Sequence, residues 1–267
     1  DHRRQQNGRV MIPGNAGSSY RLTATYFDGV TDVKVAMEAE GIWINEILRT
    51  KLMTMEAGIG LSIKIGGCEA ITDARIARDH DSAILLAPMI ESQFALEKFL
   101  DMANDIYEDD EIDEKKLLIN IETIDGAQNI DNILAAPNVD LLDGIVIGRT
   151  DLSGALKLSD VNHPDVLKAT RDVFVEAKKK SLQCIIGGGI SEKTIPFLAD
   201  LDGLVDGFET RKVVFYNGTA PGKELGEAIH HALKFEYLWY LWRQNTYGRV
   251  SREDASRIEK MAPKFAA

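Results

Sequence analysis

Leu117-Leu-Ile-Asn-Ile-Glu-Thr123 and Gly144-Ile-Val-Ile-Gly-Arg-Thr-Asp-Leu-Ser153 decide how the rest of the chain is read. In each, an apolar, largely β-branched run long enough for one buried strand stops at a carboxylate, Glu122 in the first and Asp151 in the second. Their separation matches one strand-helix-strand repeat, so two parallel neighbours would bring both carboxylates to one rim of a sheet. Acidic residues after strands also serve as helix caps or turn formers, and for either residue alone that reading stands beside the ligand reading.

Upstream, Val33, Val35 and Met37 alternate with Lys34, Ala36 and Glu38, the period of a strand, and Glu38 and Glu40 follow at its end. Leu61 to Gly67 and Ala83 to Ile90 are two further strands; in the first, Lys64 points opposite to Ile63 and Ile65. Downstream, Gln183-Cys-Ile-Ile-Gly-Gly-Gly189 breaks into three glycines, and Gly207 to Phe215 carries Glu209, Arg211 and Lys212 through a strand-like stretch. Helical periodicity predicts helices between them, including Ile42 to Ala57, Phe94 to Tyr107 and Pro164 to Lys180. Seven strands are clear. An eighth element near the N-terminus, Tyr20 to Phe27, reads equally as a helix after Ser18-Ser19 or as a strand.

This alternation predicts a parallel sheet, and its near-eightfold repetition favours a (β/α)8 TIM barrel over an open doubly wound sheet. No Gly-x-Gly-x-x-Gly follows the first strand, which weakens a dinucleotide-binding reading. Residues 1–19 form a polar segment, 20–222 the barrel, and 223–267 a C-terminal helical extension. In that extension Leu233, Phe235, Leu238, Trp239, Leu241 and Trp242 make a large apolar surface, read here as a homo-oligomer contact, and Ser251 with Asp254 resembles a capping box.

The 267 residues, 45% hydrophobic and 27% charged, can bury a sizeable core. A net charge of −11 argues against nucleic acid or an anionic membrane as partner. Cys68 and Cys184 lack metal-ligand spacing, and no apolar run is long enough to span a bilayer, so a reducing, cytoplasmic setting is expected.

Barrels of this class carry their chemistry at the C-terminal strand ends. Those ends collect Glu38, Glu40, Lys64, Glu91, Asn120, Glu122, Arg149, Asp151, the Gly187, Gly188 and Gly189 loop, Glu209 and Arg211. Asn120 and Glu122 share a strand face, as do Arg149 and Asp151 if their strand stays extended. Carboxylates with basic neighbours and no Cys or His ligands select a hard cation, Mg²⁺ or Mn²⁺. Such a cation can chelate a 2-oxo acid and stabilise the enolate formed when a C–C bond breaks. The glycine loop reads as an anion nest or as a tight turn. None of the five histidines falls at a strand end; His163 is the nearest and reads as a loop cap.

Ala87-Pro-Met-Ile-Glu-Ser92, Asn120-Ile-Glu122, Ile147-Gly-Arg-Thr-Asp-Leu-Ser153 and Asn162-His-Pro-Asp-Val166 resemble successive blocks of the HpcH/HpaI aldolase and citrate lyase β-subunit family, over about Asp32 to Phe215. The resemblance implies a metal-dependent barrel that makes or cleaves C–C bonds through pyruvate-like or acyl-CoA enolates. By motif it implies Glu122 and Asp151 as metal ligands, Asn120 beside the oxo acid, and Lys64 where aldolases usually place an Arg on the substrate carboxylate. The family tends to carry Asp-x-Glu-His at an early strand end. This chain reads Glu38-Ala-Glu-Gly41, without the histidine, so Glu38, Glu40 or a metal-bound water would move protons. The expected activity is a carbon–carbon lyase on a small 2-oxo acid, phosphorylated or acyl-CoA-linked variants included, with Lys64, Arg149, Arg211 and the glycine loop on substrate anions. Two alternatives are a phosphoenolpyruvate-type transferase on the same barrel and a non-catalytic binding or scaffold module.

Overall fold

The computed structural model describes residues 10–11, 21–22, 30–216, 223–248 and 251–265. Eight strands close a barrel: β1 (Val30–Ala36), β2 (Gly60–Lys64), β3 (Ile84–Ala87), β4 (Lys116–Ile121), β5 (Gly144–Gly148), β6 (Gln183–Gly187), β7 (Gly207–Glu209) and β8 (Val213–Tyr216). The pairs from β1–β2 through β6–β7 are parallel. The closing strand is not: β8 turns back directly after β7 and pairs antiparallel with both β7 and β1. The eighth strand is therefore the second half of the stretch read as one strand over Gly207 to Phe215, and not the Tyr20 to Phe27 element. Of the latter, only Arg21–Leu22 lies within the described residues, paired antiparallel with Val10–Met11 outside the barrel.

Twelve α-helices lie among the described residues: α1 (Met37–Glu40), α2 (Ile44–Ala57), α3 (Ile71–Asp79), α4 (Gln93–Ile106), α5 (Asp109–Ile112), α6 (Ile124–Gln128), α7 (Ile130–Ile133), α8 (Arg149–Ala155), α9 (Pro164–Lys179), α10 (Ile195–Ala199), α11 (Lys223–Tyr247) and α12 (Arg252–Phe265). His163 accepts from the Asp165 amide at 3.2 Å and so caps α9, the role its sequence context suggested.

Strand pleating sorts the core into two layers. Ile84, Leu86, Leu118, Val146, Ile185 and Val214 pack against one another inside the barrel. Residues of the opposite parity, such as Val33, Val35, Ile63, Leu85, Ile119, Ile145 and Ile186, face the helices in a larger cluster. Phe208 and Phe215, opposite each other in the β7–β8 pair, stack with centroids 4.4 Å apart.

The C-terminal helices are part of this body. Phe235, Trp239 and Trp242 of α11 are buried within the chain's own core, so the aromatic part of the surface expected to meet another subunit is covered by the chain itself, while Leu233, Leu238 and Leu241 are half-buried. Arg243 ties the pair down: its Nε lies 2.7 Å from Glu46 Oε1 on α2, it bonds Asp254 on α12, and its Nη2 donates to the Glu40 carbonyl at 3.1 Å. Ser251 Oγ accepts from the Asp254 amide at 3.0 Å as foreseen, while the Asp254 carboxylate goes to Arg243 instead of completing the box. Exposed large apolar side chains gather on α2 and its cap, at Trp43, Ile44, Leu48, Leu52 and Met55. No helix among the described residues is long and apolar enough to cross a membrane.

Candidate active site at the barrel rim

Above the apolar interior layer, the same inward parity places Lys34, Lys64, Asn120, Glu122 and Glu209. They line a cavity of about 300 Å³ that also takes in Glu40, Asp151, Gly187, Gly188, Gly189 and Arg211.

Glu122 is the most constrained of these groups. Asn120 Nδ2 donates to its Oε2 at 2.8 Å, the Met89 amide to its Oε1 at 3.1 Å, and Lys64 Nζ stands 3.2–3.3 Å from both oxygens. Gly148 lies beside it because a Cβ there would come within 2.7 Å of Glu122 Oε2. Asp151 sits in the first turn of α8, exposed toward the same cavity. Partial burial raises its carboxyl above the ordinary aspartate value, and the negative charge of Glu122 raises it further. Lys34 and Glu209 form a buried ion pair across β1 and β7.

Two carboxylates facing one cavity, with amide and water-accessible positions around them, suit a hard divalent cation. Their mutual repulsion is what such an ion would relieve, and the Lys64 ammonium already supplies positive charge against Glu122. Among the described residues no cluster of three or more His, Cys, Asp or Glu side chains is placed to hold a metal, so remaining coordination positions would fall to ligand and water.

Arg149 requires a correction. It is fully buried and does not line the cavity. Its Nε donates to the Gly187 carbonyl at 3.2 Å, Nη1 to Asn162 Oδ1 at 2.8 Å, and Nη2 to the Gly188 carbonyl at 2.8 Å and Thr194 Oγ1 at 3.3 Å, with the Phe197 ring 4.6 Å away. Burial lowers its pKa to about 10. It holds the glycine loop in place and has no face left for a substrate anion. The reason is local: β5 stops at Gly148 and residues 149–155 are helical, so Arg149 and Asp151 do not share a face. Gly188, at φ +75°, fits under this helix start because a Cβ would come within 2.5 Å of the Thr150 amide nitrogen. The three glycines line the cavity wall with backbone alone.

Glu38 and Glu40 part company for the same reason. Both lie in the short α1 turn; Glu38 is exposed and outside the cavity, and Glu40 is buried and lines it. Lys212 bonds Glu40 Oε2 and Arg211 Nε lies 3.1 Å from Oε1. Burial works against the Glu40 carboxylate, but Lys212 and then Arg211 outweigh it and hold the carboxyl below its ordinary value. Glu40 is therefore a poorly suited proton carrier. Arg211 also donates to the Ala39 carbonyl at 3.3 Å and bonds Glu253, which still leaves guanidinium donors for a ligand.

The helical pair adds Leu233, Glu236, Glu253 and Arg257 to the cavity wall, residues that sequence reasoning did not place there. One signal was legible: Glu236 and Arg243 fall on the same helical stripe as Ile229 and Tyr240, so two charges occupy core positions of α11.

Residues 63–187 match the family model described as HpcH/HpaI aldolase/citrate lyase. The resemblance to that family is borne out. The 5-keto-4-deoxy-D-glucarate aldolase of Citrobacter koseri is 38% identical over 69 residues, 26% of this chain and 26% of that protein. That of Escherichia coli K12 is 42% identical over 62 residues, 23% of each. The chain thus matches about a quarter of the length of these curated relatives. The HpcH/HpaI aldolase structure from Desulfitobacterium hafniense superposes with a TM-score of 0.56 at 16% identity, covering 67% of this chain and 76% of that one, a likeness of fold.

Proposed function

We propose that the protein is a divalent-metal-dependent carbon–carbon lyase of the aldolase type, acting on a small 2-oxo acid through a pyruvate-like enolate. The observation that carries this reading is the convergence of Glu122, Asp151, Lys64 and Asn120 on one rim cavity. Glu122 and Asp151 would hold Mg²⁺ or Mn²⁺, which when bound supplies a Lewis acid for the 2-oxo group. The names of the matched relatives support the reaction class.

The chain's own residues supply the rest. Lys64 is half-buried, its ammonium fixed by Glu122, and stands ready for the carboxylate of the oxo acid. Asn120 donates its amide NH₂ to Glu122 Oε2 and so fixes that carboxylate beside the position of the oxo acid. The Lys34–Glu209 pair closes the wall between β1 and β7. A cavity of about 300 Å³ suits a compact acid held whole.

Calorimetric titration of metal-depleted protein with Mn²⁺ and Mg²⁺, with and without oxalate as an enolate mimic, tests this. Binding that tightens with oxalate, and is lost in Asp151→Asn, is expected. Absence of metal binding in both conditions would leave Glu122 paired only with Lys64, Asn120 and the Met89 amide and remove the lyase reading. Pyruvate release from a panel of 4-hydroxy-2-oxo acids then identifies the substrate.

A further inference from the structure

A helix that covers a barrel ordinarily turns its apolar stripe to the strands and its charges to water. The solvent side of α2 departs from that order. Of its four charged residues, Glu46 is buried against Arg243 at 2.7 Å, Arg49 lies over the Trp242 ring at 5.4 Å, and Lys51 reaches Asp81 at 2.8 Å. The positions of the helix left exposed are Ile44, Asn45, Leu48, Leu52, Met55 and Glu56. Four of them are large and apolar, between 50% and 64% exposed. At roughly 100° per residue those four fall in one stripe about 80° wide. Trp43, the residue that caps the helix, is also exposed, and it stacks on Tyr247 with ring centroids 6.2 Å apart, a fixed aromatic at one end of the stripe. The Val10–Met11 strand approaches α2 and leaves these five side chains exposed. The other exposed large apolar residues, Ile71, Met89, Phe94 and Val175, lie on α3, a loop, α4 and α9 and form no such stripe.

We propose that this face of α2 binds a second copy of the chain, the two helices packing antiparallel about a twofold axis that passes between Leu48 and Leu52. The inference does not depend on the lyase reading.

Three features select this occupant. The stripe is self-complementary: turned end for end about that axis, Leu48 meets the partner's Leu52 and Ile44 meets the partner's Met55. Its size is sufficient. Five side chains, each half or more exposed, leave on the order of 500 Å² of apolar surface in water, and a stable pair that buries about 800 Å² per partner with a core about two-thirds apolar needs that much. Its charge agrees as well. Glu56 stands in the last turn of α2, where no basic residue is present and the helix's own dipole disfavours an acid. Antiparallel packing carries Glu56 to the start of the partner's α2, the end at which an acid is favoured. A membrane surface suits the face less well, because a helix lying in an interface carries free lysines and arginines beside its apolar side, and those of α2 are engaged within the chain.

Sedimentation equilibrium of the full chain tests this, with far-UV circular dichroism to follow folding. The wild-type protein is expected at twice its chain mass of 29.6 kDa. The Leu48→Glu, Leu52→Glu double variant puts charges at positions already exposed, so the helix signal should persist while the mass falls to that of one chain. Glu56→Lys keeps the apolar stripe and reverses the charge that faces the partner's helix start. With two such contacts in each pair, the dissociation constant of the dimer should rise about tenfold. The same lysine suits the C-terminus of its own helix, so a role for Glu56 confined to one chain would leave association unchanged. Val175→Glu, at a lone exposed residue of α9, should leave the dimer intact. A wild-type chain that stays monomeric up to its solubility limit overturns the proposal, and so does an oligomer whose mass is unchanged in the Leu48→Glu, Leu52→Glu variant.

Discussion

Arg149 has left water entirely for four hydrogen bonds and the face of Phe197. Its value is the position of the Gly187–Gly189 loop, because two of its acceptors are carbonyls of that loop. Arg149→Met would keep volume and leave those carbonyls without their partner, each costing about 1–3 kcal/mol. Urea unfolding should register a loss of about 3 kcal/mol; an unchanged midpoint would show the loop to be held by other means. The residue contrasts with Lys64, whose charge stays half-buried and within reach of the cavity. Both were legible as basic groups at strand ends, but only the partners around each separate a structural cation from one that can meet a ligand.

At the level of elements, the inward parity of β1, β2 and β4 was readable from alternation, and it places Lys34, Lys64, Asn120 and Glu122 correctly. The same alternation fails one step past a strand end. Beyond Ala36 and Gly148 the chain turns helical, residues two apart move to opposite sides, and the pairs Glu38/Glu40 and Arg149/Asp151 are split. Where a strand gives way to a helix is decided by tertiary contacts, here by Arg149 gripping the neighbouring loop, and no periodicity carries that information. The β7–β8 turn at Thr210-Arg-Lys212 was hidden likewise, since charged residues inside an apolar run read as one interrupted strand. Gly188 marks where these elements touch. Gly188→Ala would put a methyl group against the Thr150 amide at a left-handed backbone angle, so a loss of about 1–3 kcal/mol is expected. Weakened oxalate-dependent Mn²⁺ binding should accompany it, and a variant with wild-type stability and binding would contradict this packing.

Across the whole molecule, the C-terminal helices are held to the barrel by charge as well as by aromatic packing. Lys212 lies between Glu40 and the Trp239 ring, 5.0 Å from its centroid, and Arg211 joins Glu40 to Glu253. Burial opposes the carboxylates of Glu40 and Glu253, yet their cations hold both below the ordinary value of 4.5. Depressed values mean that this contribution to stability is complete above the ordinary value and is lost as pH falls through the folded-state one. Acid should therefore loosen α11 and α12 ahead of the barrel. Hydrogen exchange across a pH series checks this: α11 amides should lose protection before those of β4 and β5, and simultaneous loss would refute it. Closure by an antiparallel last strand has a consequence for synthesis. Thr31 meets Val214 across 183 residues of chain, so the first strand made waits with an unpaired edge until almost the last barrel residue has left the ribosome. An unpaired strand edge can pair with another molecule, so this one stays open to such contacts until β8 arrives.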